Sequence, residues 1–171
     1  MSALLVLPDK VVKTATELIQ KDTHFLTGEA LRLLNSRQWE AALPCCLAVL
    51  MKTEILEMLD SIGKCCFQTV LEKSAAGQVD EDCEAYINAA VVSYSMLIDK
   101  GKGTHEAFAI RGFMYFLKAQ INTELQLLNN AEEDCSKAIT LGAPNQSTLE
   151  DQLVKIRYVR ERLSPDAGAD R

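Results

Sequence analysis

Turn-forming residues are scarce in this chain, with eight glycines and four prolines among 171 residues. That is too little to close the many hairpins of a sandwich or barrel. No alternating apolar and polar run extends beyond a few residues, so the strand pattern is missing as well. Basic clusters are also absent. The net charge is −6, with no basic arm and no Lys/Arg run. Such a surface repels phosphate backbones and offers nothing to anionic lipid, which argues against nucleic acid as a partner. The longest apolar stretch, "LPCCLAVLM" from Leu43 to Met51, falls well short of the ~20 residues that cross a bilayer. The opening "MSALLVLPDK" has no basic residue ahead of its short apolar run and stops at Pro8. That is not the layout of a signal peptide, so a cytoplasmic protein without membrane insertion is expected.

Chemistry-bearing residues are equally thin. The only histidines are His24 and His105, each at an expected helix start. "VDEDCE" lacks the Gly and the alternating oxygen ligands of a calcium loop, and "KGKG" lacks the spacing of a phosphate loop. Six cysteines occur, including the adjacent pairs Cys45–Cys46 and Cys65–Cys66. Neighbours on a helix point ~100° apart, unlike a zinc knuckle. They are expected to be reduced thiols, with at least one of each pair buried as a small hydrophobe. No catalytic residue, metal site or cofactor is assigned, and the chain is expected not to be an enzyme.

What remains is the composition of a globular helical chain, 48% hydrophobic and 25% charged. Apolar residues recur at helical spacing throughout. The pattern predicts one domain over residues 1–163: an N-terminal helix at 9–21, helix pairs at about 24–51, 54–99 and 104–141, and a capping helix at 147–163. Residues 164–171 are expected to form a flexible tail. Asp9 and Thr104 are candidate N-caps, and acids open the fifth helix at "VDEDCE" where the dipole favours them. Pro44 should kink the third helix. The series Ile110, Phe113, Leu117, Ile121, Leu125 and Leu128 predicts a long sixth helix. Ser147 and Glu150 have the spacing of a capping box for the eighth. That helix should turn Ile156 and Val159 to the seventh, with Arg157, Arg160 and Arg162 mostly outward.

Three segments share a further pattern. Phe108-x2-Arg111-Gly112-x2-Tyr115 is followed by Ala131-x3-Cys135, Ala138 and Pro144. Leu26-x2-Glu29-Ala30-x2-Leu33 is followed by Trp39, Ala42-x3-Cys46 and Val49. Leu59-x2-Ile62-Gly63-x2-Cys66 is followed by Ala90-x3-Tyr94 and Leu97. In this pattern small residues such as Gly112 and Ala131 let two antiparallel helices approach. The chain therefore resembles the tetratricopeptide-repeat family over roughly two-thirds of its length. The resemblance implies an all-α architecture of antiparallel helix pairs, a TPR-like α-α superhelix, with a C-terminal capping helix. Relative to the standard first unit, the step from Gly112 to Ala131 is seven residues longer and that from Gly63 to Ala90 fifteen longer. Seven residues is about two helical turns, so both helices of the third pair can lengthen in phase.

In that family the first helix of each pair lines a concave groove. The matching positions are Leu31 and Leu34, then Lys64, Phe67 and Gln68, then Phe113 and Phe116. The resemblance implies a protein–protein adaptor or assembly subunit that docks an amphipathic helix or peptide there. An alternative stays open, that the N-terminal helix or core packing covers this face. Two rival classes also stay open: a helical bundle with a small-ligand or catalytic pocket, and a self-associating subunit. The family's chaperone-binding clamp is not expected. Its positions here are Leu31, Lys64, Glu106 and Ile110, of which only Lys64 attracts a carboxylate.

Overall fold

The computed structural model describes residues 5–163; the tail expected at 164–171 lies outside them. Among the described residues every regular element is a helix. In order they are α1 (Asp9–Leu18), α2 (Thr23–Asn35), α3 (Trp39–Thr53), α4 (Glu57–Ala75), α5 (Glu81–Asp99), α6 (His105–Asn122), α7 (Leu125–Thr140) and α8 (Gln146–Leu163). Among the described residues no helix is long and apolar enough to cross a membrane. The helices divide into two compact units, Met1–Lys100 and Gly101–Arg171, where the sequence pattern reads as one domain. The boundary falls in the "KGKG" turn, with Gly101 at φ +72°.

Local chemistry accounts for most helix ends. Asp22 caps α2 by accepting from the backbone N–H of His24 and Phe25. Asp80 caps α5 through the N–H of Cys83, and Glu81, Asp82 and Glu84 fill the first turn. Thr104 caps α6 through the N–H of Ala107. The expected cap at Asp9 is corrected. Pro8 holds the cap position, its carbonyl accepting from Val11 and Val12, and Asp9 is the first helical residue. Nor does the Ser147–Glu150 box form. α8 starts a residue early, and Glu150 accepts from the Gln146 side chain at 2.8 Å.

In the first unit α3 is the hub, with α1, α2 and α4 all packed on it and α5 on α4. That is why "LPCCLAVL" is apolar on every side. All residues from Ala42 to Leu50 are buried, Pro44 included, and α3 runs on through that proline. Neighbours on several faces also explain why both members of each cysteine pair are buried. On α1 the core face is Val11 and Ala15, and Val12 is exposed. On α2 it is Leu26, Ala30 and Leu33, whereas Phe25 is 55% exposed. Gly63 on α4 lies beneath Tyr94 of α5, so close that a Cβ there would stand 2.7 Å from the ring.

In the second unit α6 packs on α7, and α7 on α8. The long sixth helix of the sequence reading is broken. Thr123 turns left-handed at φ +54° and its N–H caps α6 on Ala119 at 2.8 Å. Leu125 and Leu128 therefore belong to α7, where Leu128 folds back into the core at 0% exposure. The added residues do lengthen both helices, 18 residues in α6 and 16 in α7 against 13 in α2 and 15 in α3. The close approach expected at Gly112 is present. A Cβ there would lie 3.1 Å from the Ala131 carbonyl oxygen and from the Cys135 sulfur.

Candidate functional site

The seven groove positions divide between the two units. In the first, Leu31 and Leu34 lie one turn apart on α2, the former 54% exposed and the latter half-buried. Lys64, Phe67 and Gln68 share a face of α4 and are all half-buried; Lys64 and Phe67 engage neighbours. Both helices rest on α3. In the second unit Phe113 is half-buried and Phe116 is 7% exposed. Phe116 packs in a core with Ala119, Leu127, Leu128 and Ala131. Its placement on an open groove is thus corrected, because its face of α6 is the one that meets α7. Phe25 is a further exposed apolar side chain on α2.

A second feature was not visible in the sequence. An open hollow of about 550 Å³ lies where α1, the start of α3 and the end of α4 converge, lined by Lys10, Val11, Arg37, Trp39, Pro44 and Glu72 among others. Arg37 precedes α3 in the left-handed region at φ +56°. The sequence marks Trp39 only as a repeat landmark. No local signal announces a hollow built from three helices.

Beside it runs a network of fixed charges. Lys10 Nζ lies 2.8 Å from Glu40 Oε1 and 2.8 Å from Asp82 Oδ2. The Tyr86 hydroxyl donates to Glu40 Oε1 at 2.8 Å. The hydrogen bonds that Lys10 donates to Asp82 and then to Glu40 raise its ammonium above its ordinary range. The hydrogen bond from Lys10 holds the Glu40 carboxyl below its own. Burial, then the bond to Glu40, pushes the Tyr86 phenol up. Each group is driven toward the form it already has at neutral pH. A general base or acid needs the opposite, a pKa brought toward the working pH. The network joins α1 to α3 and α5 and is built to hold them.

The thiols follow the same logic. All six are unpaired and buried. Burial pushes Cys135 up to about 12, and Cys66, Cys45 and Cys83 upward as well. Cys65 is raised first by its hydrogen bond to Cys46 and then by burial. A nucleophilic cysteine needs a thiolate and access; the closed fold gives these neither. His24 is exposed and its backbone N–H is bound by the α2 cap.

α8 carries the remaining charged contact. Glu132 of α7 accepts from Arg157 Nε at 2.9 Å and from Arg160. Arg157 bonds Glu132 while staying 59% exposed, as expected of an outward residue; Arg160, at 30%, is drawn in toward α7, correcting its outward placement, and Arg162 stays outside over the Tyr158 ring. Ile156 is buried and Val159 packs against the core of the unit, as expected.

Comparison with known proteins found no matching family model, no matching curated protein and no matching solved structure.

Proposed function

We propose that this chain is a non-enzymatic interaction module, an adaptor or assembly subunit of the TPR-like helical-repeat kind, that docks an amphipathic helix or peptide of another protein. The observation that carries the reading is the free side of α2. Its core side rests on α3, while Phe25 and Leu31 stand 55% and 54% exposed. Large apolar side chains held outward on a buttressed helix are the usual anchors of a helix-in-groove contact. The half-buried Leu34 of α2 and Phe67 of α4 extend the apolar supply in the same unit. The packed pairs α2–α3, α4–α5 and α6–α7, and the Gly112–Ala131 approach, agree with the repeat resemblance. Six unpaired cysteines fit a reducing compartment such as the cytoplasm. The charged network and the thiols, held in their neutral-pH forms, favour binding over catalysis.

The test is titration of the full chain against a panel of amphipathic helical peptides, with wild type and Leu31→Asp side by side. Binding in the micromolar range that weakens at least tenfold in the variant is expected, about the loss of one hot-spot anchor. A parallel thermal-shift panel of metals, nucleotides and lipids should be silent. A large small-molecule shift with no peptide binding would overturn the reading in favour of a ligand-binding bundle.

A further inference from the structure

Helices α2, α4 and α7 end in the same turn. In α2 the N–H of Arg37 reaches the Leu34 carbonyl at 3.0 Å, and that of Gln38 the Leu33 carbonyl at 2.9 Å. The same pair of bonds closes α4 at Gly77 and α7 at Gly142, each glycine in the left-handed conformation this turn requires. At the end of α2 that residue carries a side chain: Arg37, at φ +56°. Glu54 and Thr123 are also left-handed, but each closes its helix with one bond to the carbonyl four residues back. A glycine would fit the α2 turn without strain, so the turn itself does not account for the arginine. A strained residue of this kind directs attention to what its side chain reaches.

That side chain lines the open hollow of α1, α3 and α4, all within the first unit. Lys10, the other cation there, is held by Glu40 and Asp82. Among the described residues the Arg37 side chain has no hydrogen bond or ion pair, and neither has that of Glu72 on the α4 wall. Two charges of opposite sign thus line one hollow without neutralising each other, together with the half-buried Trp39 and the apolar Val11 and Pro44. Its volume of about 550 Å³ falls within the roughly 300–1,000 Å³ of ligand pockets. We infer that the hollow is a second docking site, which takes a short peptide segment carrying an acidic, a bulky apolar and a basic side chain in succession. Arg37 receives the carboxylate on its guanidinium fork. Trp39, Val11 and Pro44 take the apolar side chain, and Glu72 meets the cation. A multiply charged anion fits worse, because Glu40 and Glu72 line the same hollow. The site is separate from Phe25 and Leu31, neither of which lines it, and it stands whether or not those residues dock a helix.

Trp39 is the single tryptophan of the chain, so its fluorescence reports on this hollow. The full chain is titrated with the blocked peptides Gly-Asp-Leu-Lys-Gly and, in reverse order, Gly-Lys-Leu-Asp-Gly. A saturable blue shift is expected from at least one of them, with a Kd below about 1 mM. Exchanging its Asp for Asn should weaken binding at least about tenfold, the loss of a charged hydrogen-bond partner. Arg37→Gly should weaken the Asp peptide as much and leave the Asn peptide unchanged. The same variant should melt no lower than wild type, because the left-handed strain is gone. Glu72→Gln should weaken binding of the Lys peptide but not of one with Gln in its place, and Leu31→Asp should leave the shift intact. The inference would be overturned by the lack of a saturable shift, by an Asp-to-Asn exchange without effect, or by equal loss of both peptides in Arg37→Gly. A lowered melting temperature in that variant, unchanged binding in Glu72→Gln, or lost binding in Leu31→Asp would each overturn it as well.

Discussion

Arg111 on α6 grips Asp134 on α7 with two parallel bonds, Nε to Oδ2 at 2.7 Å and NH2 to Oδ1 at 2.8 Å. The side chains are only 15% and 5% exposed, and the guanidinium lies over the rings of Phe108 and Tyr115 at 5.8 and 5.7 Å. A bidentate partner 23 residues away is what makes an arginine tolerable there. Asp134→Ala should cost about 3 kcal/mol, because it removes both acceptors of the bidentate pair from a mostly buried cation. The double variant Arg111→Leu/Asp134→Ala should lose clearly less than the sum of the single losses. Urea denaturation of the four proteins reads the coupling, and strict additivity would show that the pair does not act as one.

Three glycines on helices should respond in opposite ways to a single methyl. Gly63→Ala drives a Cβ to 2.7 Å from the fully buried ring of Tyr94 and should destabilise by about 1–3 kcal/mol. Gly112→Ala, with Asp134 Cβ at 3.0 Å and the Ala131 carbonyl at 3.1 Å, should also destabilise. Gly28 on α2 has nothing within 4 Å of its would-be Cβ. Gly28→Ala should therefore stabilise by about 0.5–1 kcal/mol through helix propensity. Chemical denaturation midpoints at constant m-value decide the order.

Acid should loosen α8 from α7. The hydrogen bonds from Arg157, then Arg160, hold the Glu132 carboxyl below its ordinary value. A carboxyl lowered in the folded state contributes stability that is fully present above its unfolded pKa and is lost as pH falls through the folded one. Protection against hydrogen exchange along residues 146–163, corrected for the intrinsic rate at each pH, should fall below about pH 4.5, around the ordinary glutamate pKa. Glu132→Gln should show that loss of protection already at pH 7, with the difference from wild type vanishing in acid. Both partners are partly solvated, so the effect should also shrink in high salt.

Leu31→Asp and Phe116→Asp should separate surface from core. Leu31 is exposed, and its replacement should leave stability within about 0.5 kcal/mol. Phe116 is buried among Leu127, Leu128 and Ala131. A carboxylate there has no partner and should cost more than about 3 kcal/mol. Thermal melts of the two variants measure this directly, and only the first is a clean probe of docking.

Much of the helical layout was legible beforehand because its causes are local. Asp80, Thr104 and the acids of "VDEDCE" act within one turn of the helices they open. Gly77, Gly101 and Gly142 supply left-handed turns that few other residues adopt readily. The break at Thr123 had no such marker, since neither Gly nor Pro stands there. Only the gain from folding Leu128 back onto α6 selects it. Of the candidate groove, the resemblance put Leu31 and Phe116 alike on an open face, and only the packing of α6 on α7 separates them. Periodicity names the apolar side of a helix without saying which neighbour covers it.

By itself, then, the amino-acid order determined the number and rough span of the helices and the lack of strands among the described residues. It also determined the close approach at Gly112, because size and backbone preference act over a few residues. Tertiary structure decided the rest. It made α3 a hub buried on every side, seated Arg111 on Asp134, turned Arg157 and Arg160 toward Glu132, and left Phe25 in solvent. Each of these depends on which elements come together, and that is settled by packing between segments far apart in the chain, where no local pattern reaches.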